Sequence, residues 1–442
     1  MPQGNRSINL SRTPDKSLDQ DFRSRDCQEL KSEGKASAIS TDRRNVRWHV
    51  SFAAAVTVAS WVITPIATYA QANPANPFPQ MVSSQVTSNP SDVENYWTAD
   101  KILNANPINI KPQLASDGRP MAATTPTAAS TSQAVKSPGS APSLSATQAT
   151  SKILISQTDL QKFQANRLQS STLESSTNVP DAFSPIGATF TTSQVFPTDA
   201  TTTYPYSTVG ALYFTDYDER GPQYGTAGYF CSASVIRPRV VATAGHCVAF
   251  PNNFIPGVGA HFHWNFYFIP AFRNGAAPFG VFTPYWVSTT GSWYYGDGSV
   301  PNAQDVGLLD MNDNSGYKLG QWVGWLGYWT QQLSYNNVTM LGYPCNLDGC
   351  ELLEANYAQT YEYGGNNTYI FGSNFGPGSS GCPYIRDFGW TPGGAISTEG
   401  GNWLIAVNSY GPVNLGYLYS GASNLDDEFT NMLTGACNAG GC

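Results

Sequence analysis

Charge is scarce in this chain, and positive charge is scarcest where the sequence looks most foldable. Only 12% of its 442 residues are Asp, Glu, Lys or Arg. Residues 201–442 hold six Lys and Arg against sixteen Asp and Glu, a net of −10. Phosphate backbones are bound by clustered Lys and Arg, so this balance argues against a nucleic-acid partner. A net negative surface keeps copies apart, and a monomer is expected. Long unbroken apolar runs are also missing. The best candidate, residues 51–67 (SFAAAVTVASWVITPIA), is interrupted by Thr57, Ser60, Thr64 and Pro65. A permanent span is therefore not expected, nor any stable membrane association. Arg43, Arg44 and Arg47 precede the run and Ala70-Gln71-Ala72 follows it. That order of basic, apolar and small-x-small is a secretory signal. Residues 1–72 read as an extended n-region and signal peptide, which predicts a secreted protein, extracellular or, in a Gram-negative host, periplasmic.

A third lack is apolar periodicity between residues 73 and 150, a stretch rich in Pro, Ala, Ser, Thr and Gln. Such a segment cannot bury enough to offset its chain entropy and is expected to be disordered. Residues 151–170 add a weak helical pattern through Leu154, Leu160, Phe163 and Leu168. Together 73–184 read as a pro-region or linker, one that helps folding or blocks a cleft. No internal repeat is present.

From about residue 185 the texture changes. Runs such as Gly210–Phe214, Tyr229–Ile236, Val240–Thr243 and Phe262–Ile269 are bounded by Gly, Pro, Asn and Asp. Short strands at turn spacing indicate an all-β barrel or sandwich. One helix is expected near the end, capped by Asn424, with acidic Asp426, Asp427 and Glu428 in its first turn. Seven of the eight cysteines and eight of the eleven tryptophans fall after residue 200. That half can hold a core, and in a secreted chain its cysteines can pair.

Three segments within it carry chemistry. The first ends a strand at Ala244 and presents His246 in Thr243-Ala244-Gly245-His246-Cys247. The second, Asp305-Val306-Gly307-Leu308-Leu309, opens an apolar strand with one carboxylate. Asp297, Asp310 and Asp313 lie near it, and Asp310 looks placed in a turn. The third is Gly376-Pro377-Gly378-Ser379-Ser380-Gly381-Cys382-Pro383, whose glycines permit a tight turn that exposes a hydroxyl and aims successive N–H groups at one point.

In this order the three blocks resemble those of the trypsin/chymotrypsin-like serine peptidase family, over roughly residues 190–442. The resemblance implies two antiparallel six-stranded β-barrels with a short C-terminal helix, divided about 185–315 and 316–442. It makes Ser380 the nucleophile, His246 the general base and Asp305 the carboxylate that orients it. It puts the oxyanion hole at the N–H groups of Gly378 and Ser380, and it is compatible with a Cys231–Cys247 disulfide. Two departures matter. Ser379 stands where trypsin-like members have an aspartate, and no Ile-Val-Gly-Gly start precedes the His block. The pattern, with Gly342-Tyr343-Pro344, is similar to the bacterial glutamyl-endopeptidase-like branch. By resemblance the substrate pocket includes Asn374, Ser409, Tyr410 and Gly411. A neutral Asn374 argues against strict Arg or Lys preference. Strict glutamate preference is doubtful too, because no His follows His263.

Other features read more plainly. His261 and His263 would share a strand face, but no third ligand is obvious, so no metal and no cofactor are expected. Trp322, Trp325, Tyr328 and Trp329 suit packing better than a binding platform. Cys345 with Cys350, and Cys437 with Cys442, are spaced for small loops, which would leave Cys382 as a buried thiol. The expected activity is cleavage of a polypeptide substrate through an acyl-enzyme. An inactive binding or adhesion homologue, an acyl esterase and a stalk-borne surface protein are the alternatives.

Overall fold

The computed structural model describes residues 79–108, 110–114, 120–121, 133–171, 189–252, 254–365, 367–389, 400–412 and 418–442. The signal peptide expected within 1–72 lies outside the described residues. Among the described residues no helix is long and apolar enough to cross a membrane.

Short strands precede the barrels, among them β1 (Met81–Gln85), β2 (Asn106–Pro107) and β3 (Phe190–Gln194). The first barrel is built from β4 (Val209–Tyr217), β5 (Thr226–Val235), β6 (Val240–Thr243), β7 (Trp264–Pro270), β8 (Pro284–Thr290) and β9 (Gly307–Met311). The second is built from β10 (Asn337–Gly342), β11 (Glu354–Gly365), β12 (Thr368–Gly372), β13 (Pro383–Arg386), β14 (Trp403–Tyr410) and β15 (Tyr419–Asn424).

In the second barrel the strands pair round a closed ring, β10-β11-β12-β15-β14-β13 and back to β10. The first repeats that order as β4-β5-β6-β9-β8, with β7 on the free side of β4. It closes through one bridge, in which Phe268 and Phe282 exchange both backbone hydrogen bonds at 2.9 Å. The two antiparallel barrels expected from the resemblance are therefore present, and the architecture is chymotrypsin-like. Closure pairs most strand edges within each ring, while part of β8 and of β11 is left open to further strands.

The strands are rich in Val, Ile, Phe, Tyr and Trp, residues that suit a pleated, buried surface. In β4, all nine residues but Tyr217 are buried. The C-terminal helix, α1 (Asp427–Asn438), turns Phe429, Met432, Leu433 and Ala436 inward against β8 and β9 of the first barrel. Its cap is Asp426, whose carboxylate accepts from the N–H groups of Glu428 and Phe429. Asn424, the expected cap, is still in β15 and donates to Asn367 instead. Asp310 is likewise inside β9 and not in a turn.

The segment ahead of the barrels departs most from expectation. Residues 79–108 and 133–171 are placed on the barrels and are not a disordered tail. β1 adds antiparallel to β8, from Met81 opposite Thr290 to Gln85 opposite Trp286. β3 adds to β11, and β2 adds parallel to β5. Trp97 is 3% exposed, with its Nε1–H on the Asn265 carbonyl at 2.6 Å and its ring 5.4 Å from that of Tyr213. A low-complexity segment has no core of its own. Extended strands can still satisfy their backbone on another unit's sheet, which composition does not reveal.

Candidate active site

His246 sits in a tight 3-10 turn, Gly245–Cys247, directly after β6. The Cys231–Cys247 disulfide ties that turn to β5. Room there is limited, since a Cβ on Gly245 would lie 3.0 Å from Asp305 Oδ1 and from Thr289 Oγ1. Asp305 lies just before β9, fully buried. Its Oδ2 is 2.8 Å from His246 Nδ1, and its Oδ1 accepts the His246 N–H at 2.8 Å. Ser409 donates a third bond to Oδ2 at 2.6 Å. A carboxylate on Nδ1 holds the ring proton there and leaves Nε2 as the basic atom. Nε2 is buried and has no hydrogen-bond partner among the described residues.

The Ser380 loop is held by the residues around it. Gly378 has φ +93°, and a Cβ there would meet Cys345 Sγ at 2.7 Å and the Tyr343 carbonyl at 2.8 Å. Only glycine fits both the backbone and the space. Ser379 donates its hydroxyl to the Gly376 carbonyl at 2.8 Å. The Asn408 side-chain Nδ2 donates to both the carbonyl and the hydroxyl oxygen of Ser379 at 3.1 Å, while Tyr384 donates to Asn408 Oδ1. Neutral hydrogen bonds thus hold the residue that stands at the family's aspartate. Ser232 braces the other side. Its hydroxyl donates to the Gly378 carbonyl at 2.9 Å, and its N–H donates to the Ser380 carbonyl at 2.8 Å.

One carbonyl oxygen occupies the centre of this arrangement, that of Ile108. It accepts the Gly378 N–H at 3.4 Å and the Ser380 hydroxyl at 3.2 Å. The Ser380 hydroxyl is therefore directed at Ile108 and not at His246 Nε2. Gly411 N–H donates to the Ile110 carbonyl at 3.3 Å, which places Gly411 on the cleft rim. Ser409 supports Asp305 from the same strand. Tyr410 is buried, and its ring crosses where a Cβ on Gly421 would be, 1.9 Å from Cζ. The Asn374 side-chain oxygen is already engaged by Thr192 of β3 at 2.6 Å.

Other sequence candidates find definite places. Cysteines 345 with 350, and 437 with 442, are paired, and Cys382 is free and buried. Burial pushes its thiol up to about 12, which leaves it a packing group. His261 and His263 meet a third group that spacing alone did not suggest, Asp216 of β4. Its carboxylate contacts Nδ1 of His263 and lies 2.8 Å from Nε2 of His261. Burial raises that carboxyl, but the two imidazoles outweigh it and hold it at about 2. His263 Nε2 reaches the His246 carbonyl at 3.0 Å, so the cluster braces the turn that carries the candidate base. Trp322 and Tyr328 are buried, and Trp329 is covered by Lys136 and Arg386 at 4.1 and 4.5 Å. Ser232, Asp216, Asn408 in its bracing role and Ile108 carry no motif, because each acts through a contact distant in sequence.

No family model matches the chain, and no curated protein does. Solved structures give likenesses. The protease Anisep from Arthrobacter nicotinovorans is 25% identical, covering 52% of this chain and 95% of that one, with a TM-score of 0.41. A thermostable serine protease, AL20, from an extremophilic microorganism is 22% identical over 53% of this chain and 96% of that one, TM-score 0.42. A Glu endopeptidase in complex with MPD is 15% identical over 57% and 98%, TM-score 0.41. The fold assignment rests on strand order and not on these overlaps. By that order the chain is a chymotrypsin-like double barrel, similar to solved serine proteases.

Proposed function

We propose that this protein is a secreted serine endopeptidase. The observation that carries the reading is the convergence of the Gly378 N–H and the Ser380 hydroxyl on a single carbonyl oxygen, beside a buried Asp305–His246 pair. A substrate carbonyl in the place of Ile108 would be polarised by the loop amides and open to Ser380. His246 would take the hydroxyl proton and return it to the leaving amine. Water would then cleave the acyl-enzyme with the same base. The three disulfides suit an oxidising, extracellular or periplasmic setting. The neutral Asn374 favours a medium-sized apolar or polar side chain over a basic one at the cleavage site.

A fluorophosphonate probe tests the reading directly. Wild type, freed of residues before about 185 by limited proteolysis, is expected to label and to hydrolyse peptides. Ser380→Ala should do neither. His246→Ala should lose about 10⁴-fold or more in rate. Ester turnover without peptide turnover would make the protein an acyl esterase. Failure of every trimmed form to label would favour a non-catalytic binding protein.

A further inference from the structure

We infer that the strand described at residues 106–108 and 110–111 is a built-in peptide ligand of the cleft, bound back to front, and that the full chain is latent until this strand is displaced. The inference rests on the peptidase reading and deepens it. Direction is the first observation. β2 runs parallel to β5, with Asn106 opposite Tyr229 and Pro107 opposite Phe230. The Ile108 N–H donates to the Phe230 carbonyl at 3.2 Å. Ile110 then bridges Tyr410 of β14, again in parallel, and accepts from Gly411 N–H. The chain therefore crosses from the first-barrel rim to the second-barrel rim, and Ile108 lies over Ser380 on the way.

A peptide presented for cleavage needs its carbonyl over Ser380 and its leaving nitrogen beside His246, which must protonate that nitrogen. His246 stands on the first-barrel side, joined to β5 by the Cys231–Cys247 disulfide. Here Ile110, the next described residue after Ile108, pairs with Tyr410 of the second barrel, away from that side. What faces the first barrel is Ile108's own N–H, and the bond from its carbonyl carbon to Cα is not one that acyl transfer breaks. The carbonyl is in place, but a chain of this direction presents its amino side, not its leaving nitrogen, to His246. Any adduct with Ser380 would find no proton for its leaving nitrogen and would collapse back.

The fit is specific to this strand. Ile108 is 5% and Ile110 8% exposed, and both join the apolar cluster around Phe250 and Tyr410. Their β-branched side chains favour extended backbone, and Pro107 biases Asn106 the same way. Trp97, anchored between Tyr213 and Tyr267, tethers the strand at high local concentration. With the strand seated, the Ser380 hydroxyl is diverted to the Ile108 carbonyl and leaves the buried His246 Nε2 without a partner among the described residues.

The test compares full-chain wild type with full-chain I108D/I110D by fluorophosphonate labelling. The variant should label at least about tenfold faster, as for a site open less than about a tenth of the time. A fluorescein-labelled peptide of residues 104–113 should bind the variant, slow its labelling and survive overnight incubation intact by mass spectrometry. Equal labelling rates, or cleavage of the peptide, would overturn the proposal. If near-ultraviolet circular dichroism shows the double variant unfolded, Ile110→Asp alone takes its place. If no form labels, the peptidase reading has failed, yet docking can still be read without chemistry. The peptide should bind the double variant carrying Ser380→Ala, and bind more weakly when Gly411→Pro removes the N–H that holds Ile110. No binding there would overturn the proposal whatever the labelling.

Discussion

At Asp305 three hydrogen bonds meet on one buried carboxylate, from the His246 N–H, His246 Nδ1 and the Ser409 hydroxyl. Removing the carboxylate charge frees the imidazole to take the wrong tautomer, so Asp305→Asn should lower kcat by about 10⁴. Ser409→Ala removes one donor of three and should lower it by roughly tenfold, the scale of one hydrogen bond to a charged group. Steady-state kinetics on the trimmed protein would rank the two, and an equal loss would contradict this division of labour. Asp310 is the opposite case. It is buried in β9 with neither carboxyl oxygen hydrogen-bonded among the described residues, and burial pushes its pKa from 3.8 up to about 7. A folded-state pKa above the unfolded one means that folding favours the protonated form. That contribution is complete below about pH 4 and is lost as pH rises through about 7. Asp310→Asn should therefore raise stability at pH 8 by about 2–4 kcal/mol and change little at pH 4. Urea melts at the two pH values would settle it, and a gain at pH 4 as large as at pH 8 would refute it.

At the scale of elements, the Ser380 loop depends on strands around it more than on its own sequence. Asn408 of β14 bridges Ser379 to Tyr384, where trypsin-like members place an ion pair. Asn408→Ala would take two bonds from Ser379, whose carbonyl keeps the Cys382 N–H, at a cost of about 0.5–1.5 kcal/mol. On the proposed mechanism the Gly378 and Ser380 amides should loosen with it, so kcat should fall by more than KM changes. Unaltered kcat in the variant would assign Asn408 to packing alone. The N-terminal elements hold on by strand edges and by buried side chains, of which Trp97 is the largest. Trp97→Ala empties a site between Tyr213 and Tyr267 and should cost about 3–5 kcal/mol of attachment. Proteolysis near residue 100 should speed up accordingly while the barrels stay intact, and unchanged nicking rates would show that β1 and β2 suffice.

Taking the molecule whole, the barrels share one strand order, and the cleft lies where β5 and its disulfide meet β14 and the Ser380 loop. Reducing the Cys231–Cys247 bond releases a loop closed over a separation of 16 residues, worth about 3 kcal/mol in chain entropy. Reductant should therefore lower the melting temperature and depress probe labelling together, because the same bond seats His246. A lower melting temperature with normal labelling would separate stability from site geometry.

What the sequence determined by itself was the local part. Strand-and-turn texture marked the barrels, and three short blocks marked Ser380, His246 and Asp305, because turns, strand starts and glycine positions are set by neighbouring residues. Only the tertiary structure decided which distant groups meet. Asp216 between two histidines, Asn408 under Ser379, and the cap at Asp426 in place of Asn424 all depend on pairing across the fold. The Pro-, Ala- and Ser-rich leader was legible as unable to fold alone, and that remains true of its composition. Its backbone nonetheless finds hydrogen-bond partners on strand edges and in the cleft, and those partners exist only once both barrels have closed.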